Sequence, residues 1–345
     1  MQDKVAFIAG TRPELVKISP IIKELNSVLI FTGQHYDKNM SDDFLNLLQC
    51  EEIIHVKKNG NKIEEHLKNI SKKISEIIAK TNIEKFVVQG DTNSTLAGSI
   101  AVKSEKKMLY FIESGMRSND ISQIEEYNRI ITSHLADVNF CNHKSNKINL
   151  IREGIDPEKI FVSGSTVYSA MSSMQISKQE SNIGEQYILL TLHRPENVDD
   201  PKHLDSLLKA VNSLNEKIVF PIHPRTSKNI KGNLKKYKNI IFSEPTDYLQ
   251  FLNLIQNSSF IISDSGGVQE EAAILRKPLL IPRNHTERPE MLKIFNLLTP
   301  NIKILKQESQ KLLHKESEIS NSVLKSSLLY GENEVVENIV NILSR

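Results

Sequence analysis

The sequence predicts two doubly wound α/β domains, each built on a parallel sheet, and three observations carry that prediction. Short apolar runs alternate with amphipathic stretches along the chain, the order that successive βαβ units require. The runs are near-continuous Ile, Val, Leu and Phe rather than alternating, as strands covered on both faces must be. They fall into two series, and 345 residues suit two domains of roughly 150 residues each.

The first series places strands at 5–9, 28–32, 85–89, 108–112 and 138–141, with a short one at 160–163. The second places them at 188–192, 218–222, 240–243, 260–263 and 279–282. Helical periodicity lies between them, for example at Leu15, Ile18, Ile22 and Leu25, or at Leu204, Leu207, Leu208 and Val211. A polar stretch, SSMQISKQESNIGEQ, interrupts the pattern and puts the seam near 167–186. The expected organisation is a first Rossmann-like domain over 1–168, a second over 169–332, and a C-terminal helix over 333–345 that packs back on the first. Lys57 and Lys58, followed by Asn59, Gly60 and Asn61, read as a solvated charged turn.

Lys and Arg number 44 against 42 Asp and Glu. A polyanion gains little long-range attraction from that balance, so nucleic acid is not an expected partner and any phosphate must be held by local groups. Cys50 and Cys141 lie far apart and in no metal-ligand spacing, which leaves them as ordinary packing residues. MQDKVAFIAG has neither the basic nor the apolar region of a signal peptide. No run approaches about 18 apolar residues. A cytoplasmic protein with no membrane partner is expected.

Ligands of open parallel sheets sit at the carboxyl ends of the strands, and the unusual residues of this chain collect there. Ser263-Asp264-Ser265-Gly266-Gly267 ends an apolar run and opens a helical one. Its glycines and free N–H groups suit a phosphate, and Glu271 lies one further turn along, where a carboxylate can accept ribose hydroxyls. A tight turn with a capping serine accounts for the same triplet. Gly10-Thr11-Arg12-Pro13-Glu14 follows the first strand, with Pro13 in the first helical turn. Arg12 and Lys17 then place cations near a helix start, against the macrodipole, an arrangement that a bound pyrophosphate would relieve. Asp91 follows the strand at 85–89, and helix capping is its bland role. Glu113 follows the strand at 108–112, where Ser or Asp is the commoner cap. Glu125, Glu126, Asn128 and Arg129 read equally as a salt-bridged helix face. His193 ends the strand at 188–192, where a lone histidine is more often structural. The grouping of three carboxylates and a histidine at strand ends says more than any member.

Several chemistries are missing. There is no G-x-G-x-x-G after a strand, no Walker A, no HExxH and no G-x-S-x-G. No Asp-x-Asp pair is placed to hold a metal diphosphate. Neither a cofactor nor a metal is expected.

Read in order, GTRPELVKISPI from Gly10, TGQH from Thr32, QGDTNSTLAG from Gln89, IESGMRS from Ile112, EEYNR from Glu125, TLHRPENV from Thr191, SDSGGVQEEA from Ser263 and RNHTERPE from Arg283 resemble the non-hydrolysing UDP-N-acetylglucosamine 2-epimerase family. The resemblance implies a GT-B architecture, with the active site in the cleft between two Rossmann-like domains. It implies a homodimer that interconverts UDP-GlcNAc and UDP-ManNAc by eliminating UDP and adding it back. Asp91, Glu113, Glu125 and His193 match the family's catalytic positions. Arg12, Lys17 and Gln34 match ligand contacts of its first domain, Ser265, Gly266 and Gly267 its diphosphate contacts, and Glu271 its ribose contact. Arg129 and Arg283 lie in matching motifs and are grouped with the substrate-binding residues.

The chain departs from the family where Phe111-Ile112-Glu113-Ser114-Gly115 stands for His-Val-Glu-Ala-Gly. Ile124 stands for a proline, the loop at 116–123 is shorter, and Ser165 stands for an asparagine. These changes touch the sugar side and leave the UDP side intact. The remaining alternatives are an epimerase of another UDP-2-acetamido sugar, a GT-B glycosyltransferase with a UDP-sugar donor, and a silent UDP-sugar binder.

Overall fold

The computed structural model describes residues 4–33, 48, 50–56, 63–174, 186–230, 234–332 and 334–345. The chain forms two units, Met1–Ser173 with Leu329–Arg345 and Met174–Leu328.

In the first unit the described strands are β1 (Val5–Ala9), β2 (Ser27–Phe31), β3 (Glu52–His55), β4 (Lys85–Gln89), β5 (Met108–Ile112), β6 (Val138–Cys141) and β7 (Ile160–Val162). They pair in the order β3-β2-β1-β4-β5-β6-β7, with parallel registers throughout. Both faces of the central strands are buried, which is why those strands read as unbroken apolar runs. Val5, Phe7 and Ala9 enter one core with Leu15, Ile18 and Ile22 of the helix Arg12–Ile22. Ala6 and Ile8 enter the other with Ile70 and Ile74 of the helix Ile63–Ile78 and Ala97 and Ala101 of the helix Asn93–Ser104. The period of two along the strand assigns each side chain to its layer.

The C-terminal helix Glu334–Leu343 belongs to this unit: Val335, Ile339 and Leu343 share the core of Phe7 and Leu15. The returning chain passes close to Gly164, whose φ is +94° and where a Cβ would stand 2.3 Å from the Tyr330 carbonyl oxygen. Ser165 donates its N–H to the same oxygen at 2.8 Å.

The second unit contains β8 (Tyr187–Thr191), β9 (Ile218–Pro221), β10 (Ile240–Ser243), β11 (Ser258–Ser263), β12 (Leu279–Ile281) and β13 (Asn296–Leu298). They pair in the order β10-β9-β8-β11-β12-β13, all parallel. Phe220, Phe260, Ile262 and Leu280 pack with Leu204, Leu207, Leu208 and Val211 of the helix Pro201–Asn212. Two doubly wound parallel sheets are thus present, as the apolar runs predict.

Strands β3 and β13 are absent from the sequence-based expectation. Each is an edge strand: β3 pairs only β2, with its four residues part-exposed or exposed, and β13 is three residues long. Edges need no continuous apolar run. No helix among the described residues is long and apolar enough to cross a membrane.

Candidate active site

Strand order reverses between β1 and β4 in the first unit and between β8 and β11 in the second. Such switch points open a crevice at the carboxyl ends of the strands. In each unit a buried acid sutures that crevice.

In the first unit the acid is Glu14, 3% exposed. Its Oε2 accepts the N–H of Gly10 at 2.9 Å and of Thr11 at 2.7 Å, and its Oε1 accepts the hydroxyls of Thr92 at 2.7 Å and Thr95 at 3.0 Å. Glu14 is the third helical residue reaching back to its N-cap, as in a capping box. Here it also binds the loop after β1 to the loop after β4. Burial pushes its carboxyl up, although these donors oppose the shift.

Glu113 follows β5 directly, with φ +67°. A left-handed residue with a Cβ costs about 1–2 kcal/mol. Such strain gathers at functional sites and persists only where the surroundings over-determine it. Lys17 Nζ donates to Oε1 at 2.7 Å in a pair whose side chains are only 12% and 6% exposed. Gln89 Nε2 donates to Oε2, and Asn142 Nδ2 approaches Oε1 at 3.5 Å. Helix Arg12–Ile22, strand β4 and the connection after β6 therefore converge on one carboxylate. Two residues on, Gly115 has φ +80°, and a Cβ there would stand 2.4 Å from the Asn146 carbonyl oxygen. This close approach returns the chain from the site.

Asp91, 34% exposed in its side chain, pairs with Arg129 Nη1. The Arg129 guanidinium is buried and also donates Nε at 3.0 Å and Nη2 at 2.7 Å to Glu126 Oε2. Glu126 further accepts the N–H groups of Ser118 at 3.0 Å and Asn119 at 2.9 Å. Burial alone would raise the Glu126 carboxyl, but Arg129 and the two amides hold it below the usual carboxylate range. Asn128 Nδ2 donates to the Asp91 carbonyl at 2.9 Å. The helix Ile124–Leu135 thus clamps the loop after β4 through Arg129 and Asn128. Glu125, on the first turn of that helix, is partly exposed.

In the second unit the acid is Asp264, fully buried after β11. It accepts the His193 N–H at 3.1 and 3.2 Å, the Arg194 N–H at 3.0 Å and Asn197 Nδ2 at 2.9 Å. His193 Nδ1 lies 3.1 Å from Oδ1, while the ring stays 33% exposed and lies 5.3 Å from the His223 ring. Burial would push the Asp264 carboxyl up, yet His193, Asn197 and the Arg194 N–H hold it below the usual range.

Ser265 is the N-cap of the helix Gly266–Ile274, and its side chain makes no cap hydrogen bond. A Cβ at Gly266 would stand 2.1 Å from Glu287 Oε1, whereas one at Gly267 would meet nothing within 4 Å. Packing thus explains the first glycine and leaves the second unexplained. Glu271 is 9% exposed on the same helix.

Three cations of the sequence reading have carboxylate partners in the structure. Lys17, expected beside a phosphate, has Glu113 as a partner. Arg129, expected among the substrate-binding residues, pairs with the carboxylates of Asp91 and Glu126. Arg283, expected likewise, has a side chain with no exposed surface, and its guanidinium lies 3.3 Å from both Glu196 Oε1 and Glu287 Oε2. Its buried Nε and Nη2 have no hydrogen-bond partner among the described residues, and in the same segment after β12 Arg288 joins Glu287 at 2.9 Å to Glu270 at 2.7 Å. Arg12 opens its helix and is partly buried. Gln34 lies outside the described residues. Sequence reasoning missed Glu14, Gln89, Asn142 and Asp264 as organisers; Glu14, Gln89 and Asp264 lie within quoted motifs and Asn142 directly follows a strand, but none breaks a pattern.

Two Rossmann-like units, one with three acids after β4 and β5 and the other with a glycine-rich helix start after a switch-point strand, define a nucleotide-binding α/β protein. The family described as UDP-N-acetylglucosamine 2-epimerase matches residues 22–344, and the chain belongs to it. A UDP-N-acetylglucosamine 2-epimerase of Methanocaldococcus jannaschii is 36% identical, covering 99% of each chain. Its crystal structure in complex with UDP-GlcNAc and UDP is similar at TM-score 0.87 and 34% identity, again over 99% of both chains. A UDP-2,3-diacetamido-2,3-dideoxy-D-glucuronate 2-epimerase of Pseudomonas aeruginosa is 32% identical over the same share.

Proposed function

We propose that this protein inverts C2 of UDP-N-acetylglucosamine to give UDP-N-acetylmannosamine, acting as a cytoplasmic homodimer. The observation that carries the reading is the gathering of Asp91, Glu113 and Glu125 in the connections after β4 and β5, in a chain of this family. The sugar's C2–H has no adjacent carbonyl to acidify it. Departure of UDP builds positive charge at C1, which does acidify that proton, and a carboxylate takes it as the C1–O bond breaks. The glycal so formed receives UDP again at C1 and a proton at C2 from the opposite face.

Diphosphate rests on Ser265, Gly266 and Gly267, where N–H groups at a helix start favour an anion, and ribose on Glu271. Arg12, Lys17 and Gln34 complete the substrate contacts, and His193 serves the departing phosphate. Arg129 holds Asp91 in place.

Turnover in D₂O tests the reading. Exchangeable acid protons require deuterium at C2 of the product, read by proton NMR; product with hydrogen there would exclude the elimination route. Amide replacements of Asp91, Glu113 or Glu125 are expected to lower kcat by ~10²–10⁴ where the group transfers a proton in the rate-limiting step. A second reading, another UDP-2-acetamido sugar as substrate, is favoured by the diacetamido-glucuronate relative and by the changes around Phe111 and Ile124. UDP binding without turnover of UDP-GlcNAc, together with conversion of such a sugar, would establish it.

A further inference from the structure

We propose that Asp264 is the positioning residue of His193, fixing its Nδ1 as the proton-bearing nitrogen and so presenting Nε2 to the substrate. The inference rests on the reading of His193 as a group that meets the departing phosphate.

Four features point to it. Asp264 is completely buried, whereas the His193 ring is one-third exposed, so the pair has an inner and an outer end. Oδ1 lies 3.1 Å from Nδ1 and also accepts the His193 N–H at 3.1 Å, so one oxygen fixes both the ring and its backbone. Oδ2 is taken by the Arg194 N–H and by Asn197 Nδ2, and Asn197 in turn donates to the Pro282 carbonyl at 3.0 Å. The carboxylate therefore cannot swing away without leaving buried donors unpaired, which is strongly unfavourable. Finally, Asp264 immediately precedes Ser265, so the histidine is anchored to the backbone that opens the helix Gly266–Ile274.

A neutral imidazole carries one proton, and the hydrogen bond made by one nitrogen decides which nitrogen remains to act. With an acceptor-only carboxylate on Nδ1, the neutral ring keeps its proton there and Nε2 is a bare acceptor. Once protonated, Nε2–H becomes the donor, and the buried anion stabilises the imidazolium. Either way Nε2 is the working atom.

The decisive measurement is histidine ¹⁵N NMR on the full-length protein, with and without UDP, the His193 signals being assigned by their loss in His193→Gln. The proposal expects the neutral ring to carry its proton on Nδ1; a neutral ring protonated on Nε2 overturns it. Asp264→Asn supplies the kinetic test, because the amide can offer Nδ1 a donor where it needs an acceptor. The expected result is a fall in kcat on the order of 10²–10⁴ with UDP affinity within about threefold of the parent. An unchanged kcat, or a loss of kcat matched by equal losses of UDP affinity and melting temperature, overturns the positioning role. Should Asp264→Asn fail to fold, the tautomer of the parent protein still decides. Absence of turnover in the parent itself would refute the proposed reaction and leave the tautomer result intact.

Discussion

Glu126 and Glu125 are adjacent acids with opposite fates. Both stand at helical spacing from Arg129, three and four residues away, and a sequence reading has no means to choose between them. The fold chooses: Glu126 turns inward to Arg129 and two backbone amides, while Glu125 stays part-exposed. Since the folded state holds the Glu126 carboxyl below its ordinary value of 4.5, ionised Glu126 contributes stability above that pH. The contribution is lost as pH falls below 4.5 and through the folded-state value. Glu126→Gln is expected to cost about 3–5 kcal/mol at pH 7, because it leaves a buried guanidinium underpaired. Urea denaturation at pH 7 and pH 3 checks this, and the deficit should shrink at the lower pH. An equal deficit at both would mean that shape, not charge, sets the cost. Asp91 and Glu113 are visible in the sequence as acids that follow apolar runs, but their partners Arg129, Lys17 and Gln89 come from other elements and are not. Asp264 was hidden inside Ser263-Asp264-Ser265-Gly266-Gly267, since it reads as one more turn residue until its three partners from the loop after β8 are seen.

At the scale of elements, the central strands were legible because burial on both faces leaves only apolar residues, and the edges β3 and β13 were not because they need no such run. The helix start at Gly266 separates two kinds of glycine that look alike in sequence. Gly266 is required by the carboxylate of Glu287, and Gly115 by a left-handed φ and the Asn146 carbonyl. Gly267 has neither constraint. Alanine favours a helix by up to about 1 kcal/mol over glycine, so Gly267→Ala should melt no lower than the parent. If the backbone at Gly267 approaches a diphosphate, the added methyl group should weaken UDP binding at least about tenfold by calorimetry, an effect of about 1.4 kcal/mol. Gly115→Ala should do the reverse, lowering the melting temperature. Unchanged UDP affinity in Gly267→Ala would move the diphosphate elsewhere.

At the scale of the whole molecule, the chain leaves the first unit after Ser173 and re-enters it at Leu329. The first unit is therefore discontinuous in sequence, and its last helix is part of its core rather than an appendage. Val335, Ile339 and Leu343 are 0%, 0% and 1% exposed and pack against residues from β1, β2 and the helix Arg12–Ile22. Burial of each is worth about 1.5–3 kcal/mol, so removing residues 334–345 should withdraw about 5–9 kcal/mol from the first unit. That is comparable with the entire stability of a typical domain, about 5–15 kcal/mol. The second unit draws its core from β8 to β13 and from its own helices, with no residue of the last helix among them. Hydrogen exchange by mass spectrometry separates the two. Truncation should collapse protection across β1, β2, β4 and β5, while peptides from β8, β9 and β11 stay protected. Protection retained in the first unit would show that the helix is dispensable there. Loss in both units together would show instead that the two fold as one cooperative body, with the crossings at residues 173 and 329 transmitting the defect.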